Sequence, residues 1–378
     1  MTNIFNFCHI LRICILKLFY MDNFLVKSFS EIDLADDFFG SLKIDYPEFT
    51  EWFNKKAAAG ETATVYLENG KIKDFLYMKV EAEEMTNSGN CRIIPSLPKR
   101  NRLKVGTFKV ESRGTRRGER LIKRALDFAI DKNVEEVYVT VFPKHKKLIE
   151  LFVKYGFTEQ ARKYHSDDNY EVILVKNLSA FTGNILSDYP FVHTANVNKY
   201  LLSIYPKYHT LLFPDSILNN ESYQIIKDLS HTNSIHKAYI CFMQDVANLK
   251  RGDNVVIYRT TDIPGKAFYR SVATSICVVE KVMSKSDFLG VDDFIGQVKD
   301  YSIFEEKDLR TWYKKPNIYL IEMTYNVSLN KRITRGDLIE NIGLDANAYW
   351  GILKLTDAQY NGIRTKGMAD ESYFVDQA

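Results

Sequence analysis

Cysteine is scarce in this chain and follows no pattern. Five are present among 378 residues: Cys8, Cys14, Cys91, Cys241 and Cys277. Their number is odd, with no CxxC and no His/Cys cluster beside them. This excludes a disulfide framework and a structural zinc site, so no metal is expected, and it points to a reducing, cytoplasmic setting. Net charge is almost absent as well: 51 Lys and Arg against 48 Asp and Glu leave +3. There is no internal period of 20–50 residues, which excludes a repeat protein. No GxGxxG dinucleotide fingerprint occurs, and no Gly-Lys-Ser/Thr that would complete a P-loop. Long apolar runs are missing too. Met1 to Tyr20 is apolar, but Arg12 and Lys17 break it. A secretory core needs about 7–15 apolar residues and a membrane span about 20. No membrane is therefore expected as a partner. Residues 1–21 are read as an extension outside the fold, with Met21 the true start; the other reading is an amphipathic helix packed on the body.

What is present is globular. Hydrophobic residues make up 46% and charged residues 26%, a balance that excludes a mostly disordered chain. The length suits two domains at about 150 residues each. Aromatics are plentiful, with 23 Tyr and 24 Phe. Periodicity gives the first half as strand, two short helices, a hairpin around Glu68-Asn69-Gly70, a strand at Leu103–Val110, a helix at Arg116–Ile130, a strand at Val134–Phe142, a helix at Lys144–Lys154 and two closing strands. Ser30, with Asp33 three residues on, reads as a helix cap. This is a mixed α/β sheet with helices over its faces. The polar stretch NLSAFTGNILSD marks a boundary, so the expected domains are 22–178 and 191–378, with 179–190 a linker. The second half is mainly β: Ala238–Phe242, Asn254–Tyr258, Phe268–Val282 and Ile318–Val327 read as strands. Helices are expected near Asn219–Leu229, Gly290–Val298 and Glu305–Tyr313.

The chemistry concentrates between Val105 and Leu126. A strand, VGTFKV, runs through ESRGTRRGER into an amphipathic helix. A glycine-bearing turn at a helix N-terminus offers backbone N–H groups and the positive end of the helix dipole to a phosphate or pyrophosphate. From Arg92 to Arg124 there are twelve Lys/Arg and two acids, so a polyanion is expected there. The bland alternative for Arg116, Arg117 and Arg120 is a solvated basic helix face, or one that meets RNA.

These residues resemble the GCN5-related N-acetyltransferases, whose acetyl-CoA motif is a Gln/Arg-x-x-Gly-x-Gly/Ala turn entering a helix. Arg113, Arg116 and Gly118 fall on the motif positions, with Arg116 in place of the central glycine. A second segment, VYVTVFPKHKKLIELFVKYGF (Val137 to Phe157), resembles the strand, helix and aromatic-Gly-Phe ending of the same family, and the likeness covers residues 22–178. It implies acetyl-CoA as the cofactor. Phe108, Lys109 and Val110 would pair with the pantetheine arm. Gly114, Thr115, Arg116, Arg117, Gly118 and Glu119, with Arg113, would hold the pyrophosphate. Should position 116 need a positive φ, an arginine there is strained. The general acid of many members, a Tyr four residues before Gly-Phe, is Phe152 here. Tyr155 and His145 are the alternative candidates, and Glu81, with Glu83 and Glu84 nearby, is the candidate base. Orientation alone can also carry such a reaction.

The second half, with RGDNVVIYRTTD feeding FYRSVATSICVVEKV, resembles the PUA-like superfamily, which includes ASCH and EVE domains, and implies a small β-barrel. Lys237, Arg251, Arg259, Lys266, Arg270, Lys314 and Lys315, with Tyr258, Tyr269, Trp312, Tyr313 and Trp350, are its candidate RNA surface. Three functions follow. The favoured one is an N-acetyltransferase acting on an RNA-linked amine such as aminoacyl-tRNA, toxin-like, with an antitoxin-type protein as partner and a homodimer left open. The others are acetylation of a protein or small amine, and a decayed site on an RNA-binding or interaction protein.

Overall fold

The computed structural model describes residues 24–376 apart from 88, 90, 112, 113, 217, 219–233, 300 and 302. The extension at 1–21, Arg113 and the helix expected near Asn219–Leu229 lie outside the described residues. The chain divides into two units. Met1–Val153 with Phe157–Ser179 form the first; Lys154–Gly156 with Ala180–Ala378 form the second.

The first unit is built on one eight-stranded sheet. In chain order it holds β1 (Phe24–Ser28), α1 (Gly40–Asp45), α2 (Phe49–Ala58), β2 (Thr62–Glu68), β3 (Lys71–Glu81), β4 (Arg92–Ile94), β5 (Arg102–Val110), α3 (Arg117–Asp131), β6 (Glu136–Val141), α4 (Lys146–Lys154), β7 (Thr158–Ser166) and β8 (Asn169–Asn177). The sheet order is β1-β2-β3-β5-β6-β8-β7-β4. Its pairs are antiparallel except β5 with β6, which run parallel. The β2–β3 hairpin closes through Asn69 (φ 51°) and Gly70 (φ 77°), both left-handed, as a two-residue turn matched to strand twist requires. The cap forms two residues earlier than expected: Ser28, with Glu31, makes a capping box on the single turn Phe29–Glu31.

Among the described residues, apolar clusters form on one face of this sheet. Phe29, Phe39, Phe53, Val65, Phe75 and Tyr77 make one, joining β2 and β3 to the segments around α1 and α2. Tyr138, Ala161, Ile173 and Val175 make the other, covered by Met85, Ile93 and Leu97. The side chains of β5 alternate, with Leu103 and Val105 buried on the opposite face. At Gly106 the register with β3 slips, Val105 facing Met78 and Thr107 facing Tyr77. This bulge reverses the alternation, so Phe108 continues the face of Val105 and meets Phe152 of α4 at 5.2 Å between ring centroids. Only glycine fits at the bulge, because a Cβ would stand 2.7 Å from the Tyr77 ring.

The second unit holds β9 (Val192–His193), β10 (Lys199–Ile204), α5 (Pro206–Leu212), β11 (His236–Cys241), β12 (Asn254–Arg259), α6 (Ala267–Arg270), β13 (Val272–Ser284), α7 (Val291–Val298), α8 (Glu306–Tyr313), β14 (Tyr319–Thr334), α9 (Arg335–Glu340), β15 (Ile352–Leu355), α10 (Asp357–Lys366) and β16 (Phe374–Val375). Its main sheet runs β11-β14-β13-β12-β10-β15. The barrel expected from the sequence is not what the described residues form: the sheet is open, with β11 and β15 at its edges. Two apolar clusters draw on alternate residues of the central strands. Val272 to Val279 is therefore buried at every position, the pattern of a strand packed on both sides.

The expected linker is structured. Asp188 is buried and accepts from the Thr182 and Gly183 amides, both at 2.8 Å, and the Tyr189 hydroxyl donates to the Tyr325 carbonyl at 3.0 Å. The expected RNA surface is also reduced. Lys237, Tyr258, Arg259 and Trp350 are buried, and Trp312 and Tyr313 pack against the core. Hydrophobic pairing of these rings and stems takes them away from solvent.

Candidate active site

Strands β5 and β6 pair only from Arg102–Glu136 to Val105–Val139. Beyond that point β5 continues to Val110 and β6 to Val141, with no pairing between them. The Gly106 bulge supplies the cause, since it bends the strand at the last shared register. The β6-facing edge of Phe108, Lys109 and Val110 therefore lies beyond the ladder with β6. Strand β3 occupies the other edge of these three residues, at Leu76, Phe75 and Asp74.

At the end of β5 the chain turns into α3. Gly114 has φ 80° and Arg116 has φ 55°. Position 116 is thus left-handed and occupied by an arginine, which costs about 1–2 kcal/mol relative to an ordinary backbone conformation. Arg116 lies 3.3 Å from Glu119 through Nη1 and Oε1, and its carbonyl accepts from the Glu119 amide at 3.0 Å. Helix geometry leaves the first-turn N–H groups without an i−4 carbonyl. Gly118 brings this helix start close to α4, since a Cβ there would stand 2.9 Å from Leu151.

Arg117 does something different from what the sequence suggested. Its side chain is 1% exposed and pairs through Nε with Asp74 Oδ2 at 2.8 Å, Asp74 being fully buried. The guanidinium also stacks on Tyr66, 4.1 Å from the ring centroid. It ties α3 to β3 and β2, so only its backbone remains available to an anion. Arg120 is buried too, so of the three arginines weighed as a solvated basic face only Arg116 keeps part of its side chain exposed. Lys109 bends back to the Phe38 carbonyl and to Glu111 at 3.1 Å.

The candidate acid Tyr155 is completely buried. Residues 154–156 group with the second unit, where its ring lies 5.7 Å from Tyr189. It is a packing residue. Phe152, at the motif's tyrosine position, is walled in by Phe108 and Phe157. His145 stands just beyond β6, with Nε2 3.0 Å from Asp45 Oδ2; a carboxylate so placed orients the imidazole. Glu81, at the end of β3, accepts from the Tyr138 hydroxyl, and burial followed by this contact raises the phenol's pKa.

The face opposite Phe108 carries a polar seam that sequence reasoning missed. Glu171 on β8 is buried; Tyr46 donates to it at 2.9 Å, His165 Nε2 lies at 3.0 Å and Lys163 Nζ at 3.2 Å. Burial pushes the Glu171 pKa upward, but Lys163, His165 and Tyr46 outweigh it and hold the carboxyl below its ordinary value. Lys104, in the paired part of β5, projects on this face above Tyr138 at 5.8 Å. Burial lowers its pKa, Glu81 opposes this and Lys163 and Lys79 add to it. A charged residue inside an apolar strand, as in EVILV, was the signal available for Glu171. Lys163 and His165 alternate on β7, which is how they come to share its face. The arrangement places proton-accepting and proton-donating groups on one side of the sheet.

The second unit carries an open cavity of about 500 Å³, lined by Asn198, Tyr200, Asp245, Asn248, Lys250, Ile352 and Lys354. No helix among the described residues is long and apolar enough to cross a membrane. No group of three or more metal-ligating side chains occurs among them.

No family model matches the chain, and no curated protein matches it in sequence. Solved structures do. ASCH from Zymomonas mobilis is 9% identical, with 44% of this chain and 94% of that chain covered and a TM-score of 0.31. A chain of the NatC complex bound to Gag peptide and CoA is 17% identical, with 41% and 99% covered and a TM-score of 0.28. The Campylobacter jejuni N-acetyltransferase PseH, in complex with acetyl coenzyme A, is 14% identical, with 41% and 99% covered and a TM-score of 0.25.

Proposed function

We propose that the first unit is an acetyl-CoA-dependent N-acetyltransferase that transfers its acetyl group directly to a primary amine. One observation carries this reading: the parallel pair β5 and β6 parts after Val105 and Val139, and the strand freed by that parting leads straight into the Gly114 turn and the start of α3. The residues fit the molecule they would hold. The backbone of Phe108 to Val110 is edge-on to the cleft, as an extended amide-bearing arm requires. The amides from Gly114 to Gly118, at a helix N-terminus, suit a pyrophosphate. When bound there, acetyl-CoA supplies a thioester carbonyl to be attacked.

The chain's own residues then orient and hold protons. An acceptor amine approaching on the polar seam meets Glu81 and His165, either of which reaches a proton directly or through water, with the buried Glu171 holding His165 in place. Nitrogen bonds to the acetyl carbon, the carbon–sulfur bond breaks, and the displaced thiolate takes up a proton. No tyrosine stands at position 152, so the thiolate is protonated from the seam or from water, and alignment of the two reactants supplies most of the rate gain.

The acceptor favoured here is an amine carried on RNA, such as an aminoacyl-tRNA. Lys79 and Lys104 face each other across β3 and β5, and this like-charged pair favours an anionic partner over a cationic one. Calorimetry with acetyl-CoA tests the first claim, with saturable binding expected and its absence contradicting it. Transfer of labelled acetyl to charged tRNA, set against peptides and polyamines, tests the second. Preference for peptides or polyamines would overturn the RNA reading and leave the acetyltransferase standing.

A further inference from the structure

Lys104 is out of keeping with the other basic residues of its segment. Arg102 pairs with Glu136 at 2.7 Å, Arg117 with Asp74 and Lys123 with Asp127 at 2.7 Å. Among the described residues, Lys104 has neither an ion pair nor a hydrogen bond; its contact is the Tyr138 ring. It is half-buried, and it stands opposite Lys79 in the sheet. A half-buried ammonium with no ion pair or hydrogen bond is penalised, and a like charge across the strand adds to that cost. Losing the charge relieves both.

Its position is equally particular. Lys104 lies two residues before Gly106 on the strand that edges the cleft, about 7 Å along the chain, a distance the four-carbon stem of lysine covers. It projects on the face of the polar seam, with Glu81 and Glu171 near enough to act on it electrostatically.

We propose that Lys104 is a self-acetylation site, modified by the acetyl group bound in the cleft of its own chain. The Nζ lone pair forms a bond to the thioester carbonyl carbon, the carbon–sulfur bond breaks with its electrons on sulfur, and the proton shed by nitrogen passes to the thiolate. The products are an N-acetyl-lysine and CoA. The modification removes the positive charge opposite Lys79 and places an amide in the seam, so it regulates which acceptors enter: anionic acceptors lose an attracting charge.

This inference rests on the acetyltransferase reading, and the test separates the two. The full chain is titrated with CoA by calorimetry, then incubated with acetyl-CoA and mapped by peptide mass, alongside Lys104→Arg. The expected result is CoA binding by both proteins and a 42 Da gain on the Lys104 peptide of the wild type. Its rate per molecule should be independent of protein concentration and at least tenfold that of Lys55, whose side chain is exposed and serves as the chemical baseline. CoA binding with Lys104 unmodified, or modified no faster than Lys55, overturns self-acetylation alone. No CoA binding by either protein overturns the cleft reading and the inference with it.

Discussion

Arg117 Nε lies 2.8 Å from Asp74 Oδ2, with neither side chain more than 1% exposed. The pair joins the first residue of α3 to the middle of β3, and in doing so fixes the direction in which the helix leaves the glycine turn. Removing one member of a buried pair strands the other charge, at a cost of about 3–5 kcal/mol. Arg117→Ala is therefore expected to lower the unfolding free energy by that amount in a urea titration. Retained stability with lost CoA affinity would assign the side chain to the ligand instead.

Arg116 makes the opposite prediction. Its left-handed backbone is strained for an arginine and relaxed for glycine. Arg116→Gly exchanges about 1–2 kcal/mol of strain for the greater chain entropy of glycine, about 0.5–1 kcal/mol. Stability is expected to be unchanged or raised by up to about 1.5 kcal/mol, with CoA affinity within threefold, because the turn acts through its amides. A loss of affinity beyond tenfold by calorimetry would show that the guanidinium itself holds the phosphates.

Tyr155 is buried, so its hydroxyl does not meet a substrate. Tyr155→Phe is expected to keep kcat for acetyl transfer within about threefold. A fall of a hundredfold with stability intact would restore it as the acid, since a lost general acid costs about 10²–10⁴ in rate.

Glu171 gives a pH signature. Lys163, His165 and Tyr46 hold its carboxyl below the ordinary value despite burial. Its stabilising contribution is complete above the unfolded value, about 4.3, and is lost as the pH falls through the lower folded one. Glu171→Gln is expected to be less stable than the wild type at pH 7, by about 1–3 kcal/mol for a charged hydrogen-bonded group, with the two proteins converging as the pH falls below the folded value. A constant gap across that range would show the carboxylate to be electrostatically idle.

Much of the first unit was legible in local signals. Asn69-Gly70 between alternating apolar residues marks its hairpin, and the apolar spacing of Leu121, Ile122, Ala125 and Leu126 marks α3. The free edge at Phe108 to Val110 was given only by the family resemblance, because it depends on where a parallel register between residues 102–105 and 136–139 stops, which periodicity alone does not encode. Arg117 was misread for a related reason: its partner Asp74 is 43 positions away, and a run of basic residues looks solvated until that acid is placed under it. The open sheet of the second unit was hidden by β13, whose largely apolar run VATSICVV fits a barrel wall or a two-sided core equally well. Tyr46 and Glu171, 125 residues apart, could not be joined by spacing at all.

Amide hydrogen exchange with and without CoA, resolved over residues 102–121, tests the central claim most directly, because it reports both binding and place. The account predicts that CoA slows exchange of the Phe108 to Val110 amides and of those from Gly114 to Gly118, leaving Leu103 to Val105 unchanged because β6 already protects that stretch. Exchange unaltered between Phe108 and Gly118 at saturating CoA, or protection appearing only in the second unit, would contradict it.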